Sequence, residues 1–156
     1  RPHVAFLGRI PGSRRYSDHE RHPDNELVPG VVIFRPEGSL LYFNAEYVRD
    51  LVVARVRSER PPARAVLCDL SASPHVDQAG AEMLTRLSAD LVALGASLRI
   101  VEARSKVRDR LRTEGLHDAT GGIDRFTSVA DVVDQILTDG AGGGPVVAAK
   151  PGPAPA

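Results

Sequence analysis

The chain has 156 residues, of which 42% are hydrophobic and 26% charged, a size and composition that suit one globular domain. Its 20 basic and 20 acidic residues balance, so no overall field attracts nucleic acid or anionic lipid. Tryptophan is absent and aromatic residues make up 4% of the chain, which argues against a base-stacking platform. We therefore expect no nucleic-acid partner.

The first part of the chain contains three predicted strands and a helix. Residues 3–10 and 31–35 are apolar and predict two strands. Between them, residues 12–29 are polar and carry no core stripe; because they exceed the usual loop length of about 12–15 residues, they predict a long functional loop. Residues 40–43 predict a third strand in a hairpin with the second, and Asn44 predicts the N-cap of the first helix.

Further along the chain, predicted strands and helices alternate, which indicates an α/β fold with mostly parallel strand pairing. The predicted strands are residues 65–70, residues 98–101 and a short edge strand at Phe126, and the predicted helices begin at Asp77, Ser105 and Ser128. The last residues are mainly Gly, Ala and Pro, which cannot bury enough apolar area to offset the entropy of ordering. We therefore predict one folded domain over residues 1–138 and a disordered tail over residues 139–156.

The cysteine count and the lack of long apolar runs argue against a disulfide-stabilised fold and against a membrane-spanning helix in this chain. No run approaches the roughly 20 residues that a membrane helix needs. The chain shows no signal peptide and begins without Met, as expected of a segment excised from a longer protein. Cys68 is the single cysteine, so no internal disulfide can form, and its apolar surroundings predict a buried strand position rather than a nucleophile.

The order of elements in residues 3–47 carries a family resemblance. Two apolar strands flank a polar loop, and the short segment Leu40-Leu-Tyr-Phe-Asn leads directly into a helix. This arrangement resembles the beginning of the STAS domain (sulfate transporter and anti-sigma-factor antagonist), in the variant carried by SulP-type (sulfate permease-type) anion transporters. The resemblance covers nearly all of residues 3–138. It implies the STAS fold, an α/β fold in which helices pack largely on one face of a mixed β-sheet.

The resemblance also implies a function, which is regulatory and structural. The domain would dock on the transmembrane domain of the same transporter polypeptide, in a dimeric parent protein, at the cytoplasmic face of the plasma (inner) membrane. The transported solute would be sulfate, bicarbonate or a small dicarboxylate. Sensing of a weakly bound nucleotide or anion is a further expectation.

A strand end, a loop and a helix start form the predicted regulatory contact loop. Its residues are Asp69, Ser71, Asp77, Gln78, Ala79 and Gly80. A helix N-terminus at the carboxyl edge of a sheet offers free backbone amides to an anion, although Asp77 can also be interpreted as an N-cap and nothing more. By the resemblance, Ala79 stands where anti-sigma-factor antagonists carry the phosphate-accepting hydroxyl, so we expect no phosphorylation here.

Two further surfaces are candidate contact sites. Residues 99–112 hold six Arg or Lys and two acidic residues, and this patch predicts anion or nucleotide contacts, with a solvated helix face as the alternative. These predicted contacts are Arg104, Ser105, Lys106 and Arg108. The long loop mixes Arg with Tyr, as interfaces do, and its predicted docking residues are Arg14, Arg15, Tyr16 and Arg21.

The sequence contains no pattern typical of an enzyme or a metal site. A Walker-type or Gly-x-Gly-x-x-Gly phosphate loop is absent, and no Ser-His-acid or Cys-His set has supporting context. His19 and His22 lack the further ligands that a zinc site needs. We expect neither metal nor cofactor. Two alternatives stay open, a free-standing STAS interaction protein of the anti-sigma-factor-antagonist type and a weak nucleotide-binding domain supported only by the basic patch.

Overall fold

The structure, a computed structural model, describes residues 2–124 and 127–141. In these ranges the strands are β1 (Val4–Arg9), β2 (Tyr16–Asp18), β3 (Val31–Pro36), β4 (Ala65–Asp69) and β5 (Ser97–Val101). The helices are α1 (Ala45–Ser58), α2 (Gln78–Ala93), α3 (Ser105–Thr113), α4 (Leu116–Ala119) and α5 (Val129–Ala141). None of these helices is both long and apolar enough to cross a bilayer.

The strands form one mixed sheet in the order β2-β1-β3-β4-β5. β3, β4 and β5 run parallel, with Phe34 beside Cys68 and Cys68 beside Ile100. β1 is antiparallel to both of its neighbours, β2 and β3. The mixed sheet that the resemblance implied is therefore confirmed, with the antiparallel pairs on one side of it and the parallel pairs on the other.

Alternate residues of β1, β3, β4 and β5 enter two separate hydrophobic cores. Val66 and Cys68 of β4 face the larger core, which α1, α2, α3 and α4 cover. Ala65 and Leu67 face the smaller core, which α5 covers. Because all four side chains are fully buried, β4 needs the continuous apolar run that the sequence shows. The prediction that helices lie largely on one face is confirmed.

Helix α2 follows the pattern expected of an amphipathic helix. Its stripe of Met83, Leu84, Leu87 and Leu91 is fully buried in the larger core, as the spacing predicts. Soon after the helix ends, Gly95 has a φ of +85°, a left-handed conformation that favours glycine.

The predicted strand at residues 40–43 and its hairpin are wrong. Leu40 makes one isolated parallel bridge, to Val76, and the next residues turn into α1. Asn44 drives this turn, because its side-chain oxygen accepts a hydrogen bond from the Leu41 N–H at 3.0 Å and its amide donates to the Ser39 carbonyl at 2.8 Å. Asn44 is the N-cap residue of α1, as predicted, but its side chain makes no helix-capping hydrogen bond and instead shapes the loop before the helix.

The predicted long loop is also partly wrong, because it contains strand β2. β2 pairs with β1 from Leu7 opposite Asp18 to Arg9 opposite Tyr16. A second bridge joins Arg9 to Glu26. Backbone pairing therefore fastens both halves of the segment to the edge of the sheet, and a sequence pattern based on apolar side chains does not reveal such pairing.

Three boundaries complete the comparison with the sequence. The sequence predicts Ser105 as the N-cap of α3, whereas Arg104 is the N-cap and Ser105 the first helical residue, so the predicted cap lies one residue too late. α5 continues to Ala141, and the first residues of the predicted tail are therefore helical. The rest of that tail, residues 142–156, and the predicted strand at Phe126 lie outside the described residues.

The close approach of α2 to Leu40 predicts a specific requirement for glycine at position 80. A Cβ on Gly80 would lie 2.5 Å from the Leu40 carbonyl oxygen, too close for a rigid backbone contact. We expect Gly80→Ala to lower the free energy of unfolding by about 1–3 kcal/mol, despite a helix-propensity gain of about 1 kcal/mol. Urea denaturation measures this difference.

Gly38→Ala is the matched control, since a Cβ there meets no atom within 4 Å. Its free energy of unfolding should stay within about 0.5 kcal/mol of wild type. Equal midpoints for Gly80→Ala and wild type would show that the contact with Leu40 is not a constraint on the fold.

Candidate functional site

The loops that follow β3 and β4 lie together at the carboxyl edge of the parallel strands. The buried Ser73 hydroxyl donates to the Gly38 carbonyl at 2.7 Å. The Leu40 N–H donates to the His75 carbonyl at 3.0 Å, and the His75 N–H donates to the Ser39 hydroxyl at 3.2 Å. Residues 37–44 and 70–77 therefore form one connected surface.

Asp77 joins that surface to helix α2. One carboxylate oxygen accepts the Gly80 N–H at 2.8 Å, which is the predicted N-cap bond. The other accepts the Tyr42 N–H at 2.9 Å. The N-cap interpretation is therefore confirmed, and the structure adds a second task for the same side chain, which is to hold the turn at Tyr42.

The remaining residues of the predicted contact loop divide into structural and exposed groups. Asp69 is 3% exposed and accepts the Ser71 N–H at 2.8 Å, so it shapes the turn after β4. Gln78 is exposed and its amide donates to Glu82 at 3.2 Å. Ala79 is half-buried in the first turn of α2, and none of residues 77–80 carries a hydroxyl group.

The neighbouring Cys68 is not a reactive group. Burial, and then the adjacent Asp69 carboxylate, raise the pKa of the Cys68 thiol well above its ordinary value. A nucleophilic cysteine needs exposure and a lowered pKa. The predicted role as a buried strand residue is confirmed.

Two exposed aromatic side chains stand beside the start of α2. Tyr42 is 76% exposed and Phe43 68% exposed, and their rings meet edge to face with centroids 5.4 Å apart. A groove of about 620 Å³, lined by Pro2, Phe43, Asn44 and Tyr47, lies next to them. We call Tyr42, Phe43 and residues 77–80 the aromatic edge. The sequence predicted residues 77–80 as contact residues but not Tyr42 and Phe43, because an apolar run predicted a strand where the chain forms an exposed turn.

The predicted docking residues of the long loop have different environments. Arg14 donates to Asp131 at 2.9 Å and to Asp134 at 2.6 Å on helix α5. Tyr16 packs against the smaller core, and burial is the main cause that raises its pKa. Arg15 and Arg21 are exposed. The loop therefore has a contact with the core that the sequence did not reveal.

Asp18 ties the same segment to the start of β1. The carboxylate is 6% exposed, lies 3.2 Å from the His3 ring and accepts the Glu20 N–H at 2.9 Å. Burial alone would raise the pKa of Asp18, but the bonds from His3 and Glu20 outweigh it and hold the pKa below its usual value. These bonds give the carboxylate a structural role.

The predicted anion contacts on α3 also separate. Arg104 donates to the Ser71 carbonyl at 3.3 Å, and Ser105 and Lys106 are exposed. Arg108 turns the other way and, with Arg99 and Arg112, lines a cleft of about 730 Å³ beside α5. The basic patch of the sequence is therefore two surfaces in the fold.

Comparison with known proteins places these features in a family. A family model described as the STAS domain matches residues 22–132. The low affinity sulfate transporter 3 of Stylosanthes hamata is 30% identical over 148 residues, which cover 88% of this chain and 23% of the transporter. The probable sulfate transporter 3.5 of Arabidopsis thaliana is 28% identical over 133 residues, covering 85% and 21%. The chain thus spans less than a quarter of the length of these curated relatives.

Solved structures share the fold. The murine anion transporter Slc26a9, in its inward-facing state, matches with a TM-score of 0.75 at 20% identity, over 88% of this chain and 22% of that one. The SulP transporter STAS domain from Vibrio cholerae matches with 0.59 at 17% identity, over 79% and 93%. The unphosphorylated anti-sigma factor antagonist SpoIIAA matches with 0.60 at 14% identity, over 73% and 94%. With the family model and the sulfate-transporter relatives, they confirm the predicted resemblance.

A test of the loop assignment follows from the low pKa of Asp18. Because the folded pKa is lowered, the carboxylate stabilises the fold above its unfolded pKa of about 3.9, and this contribution is lost as pH falls through the folded-state value. We expect Asp18→Asn to be less stable than wild type at pH 7 by about 1–3 kcal/mol, with the difference closing below about pH 4. Urea unfolding across this pH range measures it.

Asp24→Asn is the control, because Asp24 is an exposed aspartate of the same segment. Its free energy of unfolding should differ from wild type by no more than about 0.5 kcal/mol. A deficit in Asp18→Asn that stayed constant from pH 7 to below pH 3 would rule out the carboxylate charge as the stabilising group.

Proposed function

This chain belongs to the STAS domain family, and from that premise we propose that it is the cytoplasmic STAS domain of a SulP-type secondary anion transporter. The observation that carries the proposal is the alignment with a sulfate transporter at 30% identity over 88% of this chain but only 23% of the transporter. The role is regulatory and structural, with no catalytic step. The transported solute belongs to the sulfate, bicarbonate or dicarboxylate class, and its path lies in the transmembrane domain.

The aromatic edge is the surface by which this domain docks on the transmembrane domain of its own polypeptide, in a dimeric parent protein. Tyr42 and Phe43 leave more than two thirds of their side chains in water, and aromatic residues are enriched at protein interfaces. The bonds from Asp77 and within the Asn44 turn hold this segment before any partner arrives. A preorganised apolar anchor loses little entropy on docking.

The long loop contributes a polar part of the same role. The side chains of Arg15 and Arg21 are exposed, whereas Tyr16 packs against the smaller core. Charged residues suit the rim of an interface better than its centre. We assign Arg14 mainly to the fold, since α5 already supplies two carboxylates to it.

The alternative function, a free-standing anti-sigma-factor antagonist, fits the fold, but this chain lacks the phosphate-accepting hydroxyl group that such a protein needs. The similarity to SpoIIAA, at 14% identity, supports the fold alone. Ala79 cannot accept a phosphoryl group, and Gln78 cannot replace a hydroxyl. The geometry of the helix start is kept, and its use as a phosphorylation switch is not supported.

Phosphorylation separates the two candidate functions. We expect an anti-sigma-factor kinase with ATP to leave the whole segment from Asp69 to Gly80 unmodified, as measured by intact-mass and peptide mass spectrometry. SpoIIAA in a parallel reaction shows that the kinase is active. Stoichiometric phosphate on Ser71 or Ser73 would favour the antagonist function over the transporter domain.

Transport tests the docking surface. The complete reading frame that contains this chain is expressed in cells lacking sulfate uptake, and uptake of labelled sulfate and surface abundance are measured. We expect the double variant Tyr42→Ser, Phe43→Ser to lower uptake or surface abundance several-fold, because it removes the apolar anchor. In the isolated 156-residue chain, the same variant should change the free energy of unfolding by about 0.5 kcal/mol or less, since both rings are exposed.

Val92→Ser is the matched control, because Val92 is an apolar residue of α2 that is 66% exposed and lies outside the aromatic edge. It should leave uptake and abundance unchanged. Equal uptake and abundance for the double variant and wild type would place docking elsewhere on the domain. A reading frame that starts at Arg1, with no membrane-length apolar runs before it, would remove the transporter proposal itself.

A further inference from the structure

Arg99 is a half-buried cation whose Nε atom is buried and makes no hydrogen bond. Its neighbours in β5, Leu98 and Ile100, face the larger core, so Arg99 emerges on the opposite face, beside α5. Its Nε atom is buried, and no hydrogen bond or ion pair to Arg99 exists among the described residues. Buried polar groups are almost always paired, and an unpaired charge is more costly still.

The chain encloses this guanidinium closely. Gly121 has a φ of +75°, and a Cβ there would lie 3.1 Å from the Arg99 Nε atom and 3.5 Å from its Cζ. The backbone therefore passes directly against the guanidinium, and glycine is needed at that point. Burial lowers the pKa of Arg99, and the negative charge of Asp139 only partly opposes this effect.

Arg99 opens on a cleft of about 730 Å³ between α3, α5 and the chain after α4. Arg108 and Arg112 of α3 line it too, each held by a bond to a backbone carbonyl, of Ala103 and Ile123 respectively. A guanidinium has five N–H donors, so these single bonds leave further donors on both side chains. We call this cavity the arginine cleft.

Acidic groups reduce the positive charge of the arginine cleft without cancelling it. Asp124 and Asp131 line it together with the three arginines. Arg14 lies outside the lining and pairs with Asp131 at 2.9 Å, which offsets that negative charge. Arg112 also lies 3.9 Å from Asp109, a loose pair on an exposed helix face. The net charge of the described residues around the cleft is therefore positive, which favours binding of an anion.

We infer that the arginine cleft binds an oxyanion group of the sulfate or phosphate class, with Arg99 as its main contact and Arg108 and Arg112 completing the site. Planar guanidinium groups bind such oxygens in pairs. Thr127 and Gln135, which also line the cleft, carry neutral N–H and O–H donors for the remaining oxygens. The volume lies within the range of about 300–1,000 Å³ typical of small-molecule sites, so a free ion and the terminal group of a larger ligand both fit.

This site differs from the anion contacts that the sequence suggested. Arg104, Ser105 and Lys106 do not line the arginine cleft, and only Arg108 belongs to both sets. The arginine cleft lies within this domain, so its affinity for an anion does not depend on which solute, if any, the parent protein transports. Its test therefore needs no membrane.

The probes are sodium sulfate, inorganic phosphate and ATP, each titrated into the isolated chain against sodium chloride of matched ionic strength. We expect sulfate and phosphate at low millimolar concentration to raise the thermal midpoint beyond the effect of chloride, in a saturable way that depends on Arg99, as a ligand of the folded state does. General stabilisation by these salts grows with concentration and does not depend on Arg99. Amide NMR signals of Arg99 and Gly121 should shift on the same titration. ATP binding that sulfate competes away would identify a nucleotide phosphate as the source of the group, whereas sulfate binding without ATP binding would identify a free oxyanion.

Arg99→Met keeps the length of the side chain and removes its charge. We expect at least tenfold weaker sulfate binding and, in chloride alone, a thermal midpoint equal to or above that of wild type, because a half-buried charge that no described residue pairs is removed. Arg99→Lys keeps the positive charge but removes the paired N–H donors of the guanidinium. It should bind sulfate several-fold more weakly than wild type. Lys106→Met removes a nearby charge outside the cleft and should leave the affinity within about twofold, since exposed single charges contribute little.

Three results would overturn the inference. The first is equal stabilisation by sulfate and chloride at matched ionic strength. The second is a loss of affinity in Lys106→Met as large as that in Arg99→Met, which would indicate general screening of the basic face. The third is an Arg99→Met chain that melts well below wild type in chloride, because Arg99 would then be satisfied inside the fold.

Discussion

The approach of helix α2 to the chain at Leu40 is the contact on which the geometry of the aromatic edge depends. A side chain at position 80 would collide with the Leu40 carbonyl, so glycine permits the approach. Once α2 lies there, its N-cap Asp77 reaches the Tyr42 N–H as well as its own helix. One close contact therefore positions the start of α2 and the turn that presents the two exposed aromatic rings.

The uneven cover of the sheet explains where the arginine cleft lies. Four helices close the larger core, whereas α5 alone covers the described part of the other face. A single helix of 13 residues leaves room beside it, and Arg99 emerges from β5 into that room. The same helix holds Arg14 through Asp131 and Asp134, so α5 organises charge on both of its sides.

The sequence predicted correctly those strands and helices that have a clear pattern of apolar or capping side chains. β1, β3, β4 and β5 have strong apolar runs because most of their residues are buried on one face or the other, and Asp77 carries a clear capping signal. β2 was missed because backbone pairing with β1 forms it, with little apolar signal. The segment at Leu40 was misassigned because one buried leucine and two exposed aromatics share a pattern with a strand. A local pattern does not report which of them faces water.

Site residues were harder to predict than elements, for a related reason. The sequence grouped Arg99 with Arg104, Lys106 and Arg108 because they are close along the chain. The fold separates them, since a strand residue and the two faces of the next helix point in different directions. A cation is available to a ligand only if no residue of the fold already pairs with it. Which residues surround it, such as Gly121 beside Arg99, is known only once the fold is known.

Some polar and aromatic side chains of the domain stabilise its fold, and others do not. Asp18 with His3, and Asp77 with Gly80, satisfy groups that folding would otherwise leave unpaired. Exposed rings at Tyr42 and Phe43 gain little from folding, because they remain in water. The Nε atom of Arg99 is buried without a hydrogen bond, so it loses hydration on folding that no described residue replaces. The stability of the fold does not explain why these groups are present, whereas binding to a partner or a ligand would. They lie on two surfaces of different chemistry: the aromatic edge is apolar and the arginine cleft is cationic.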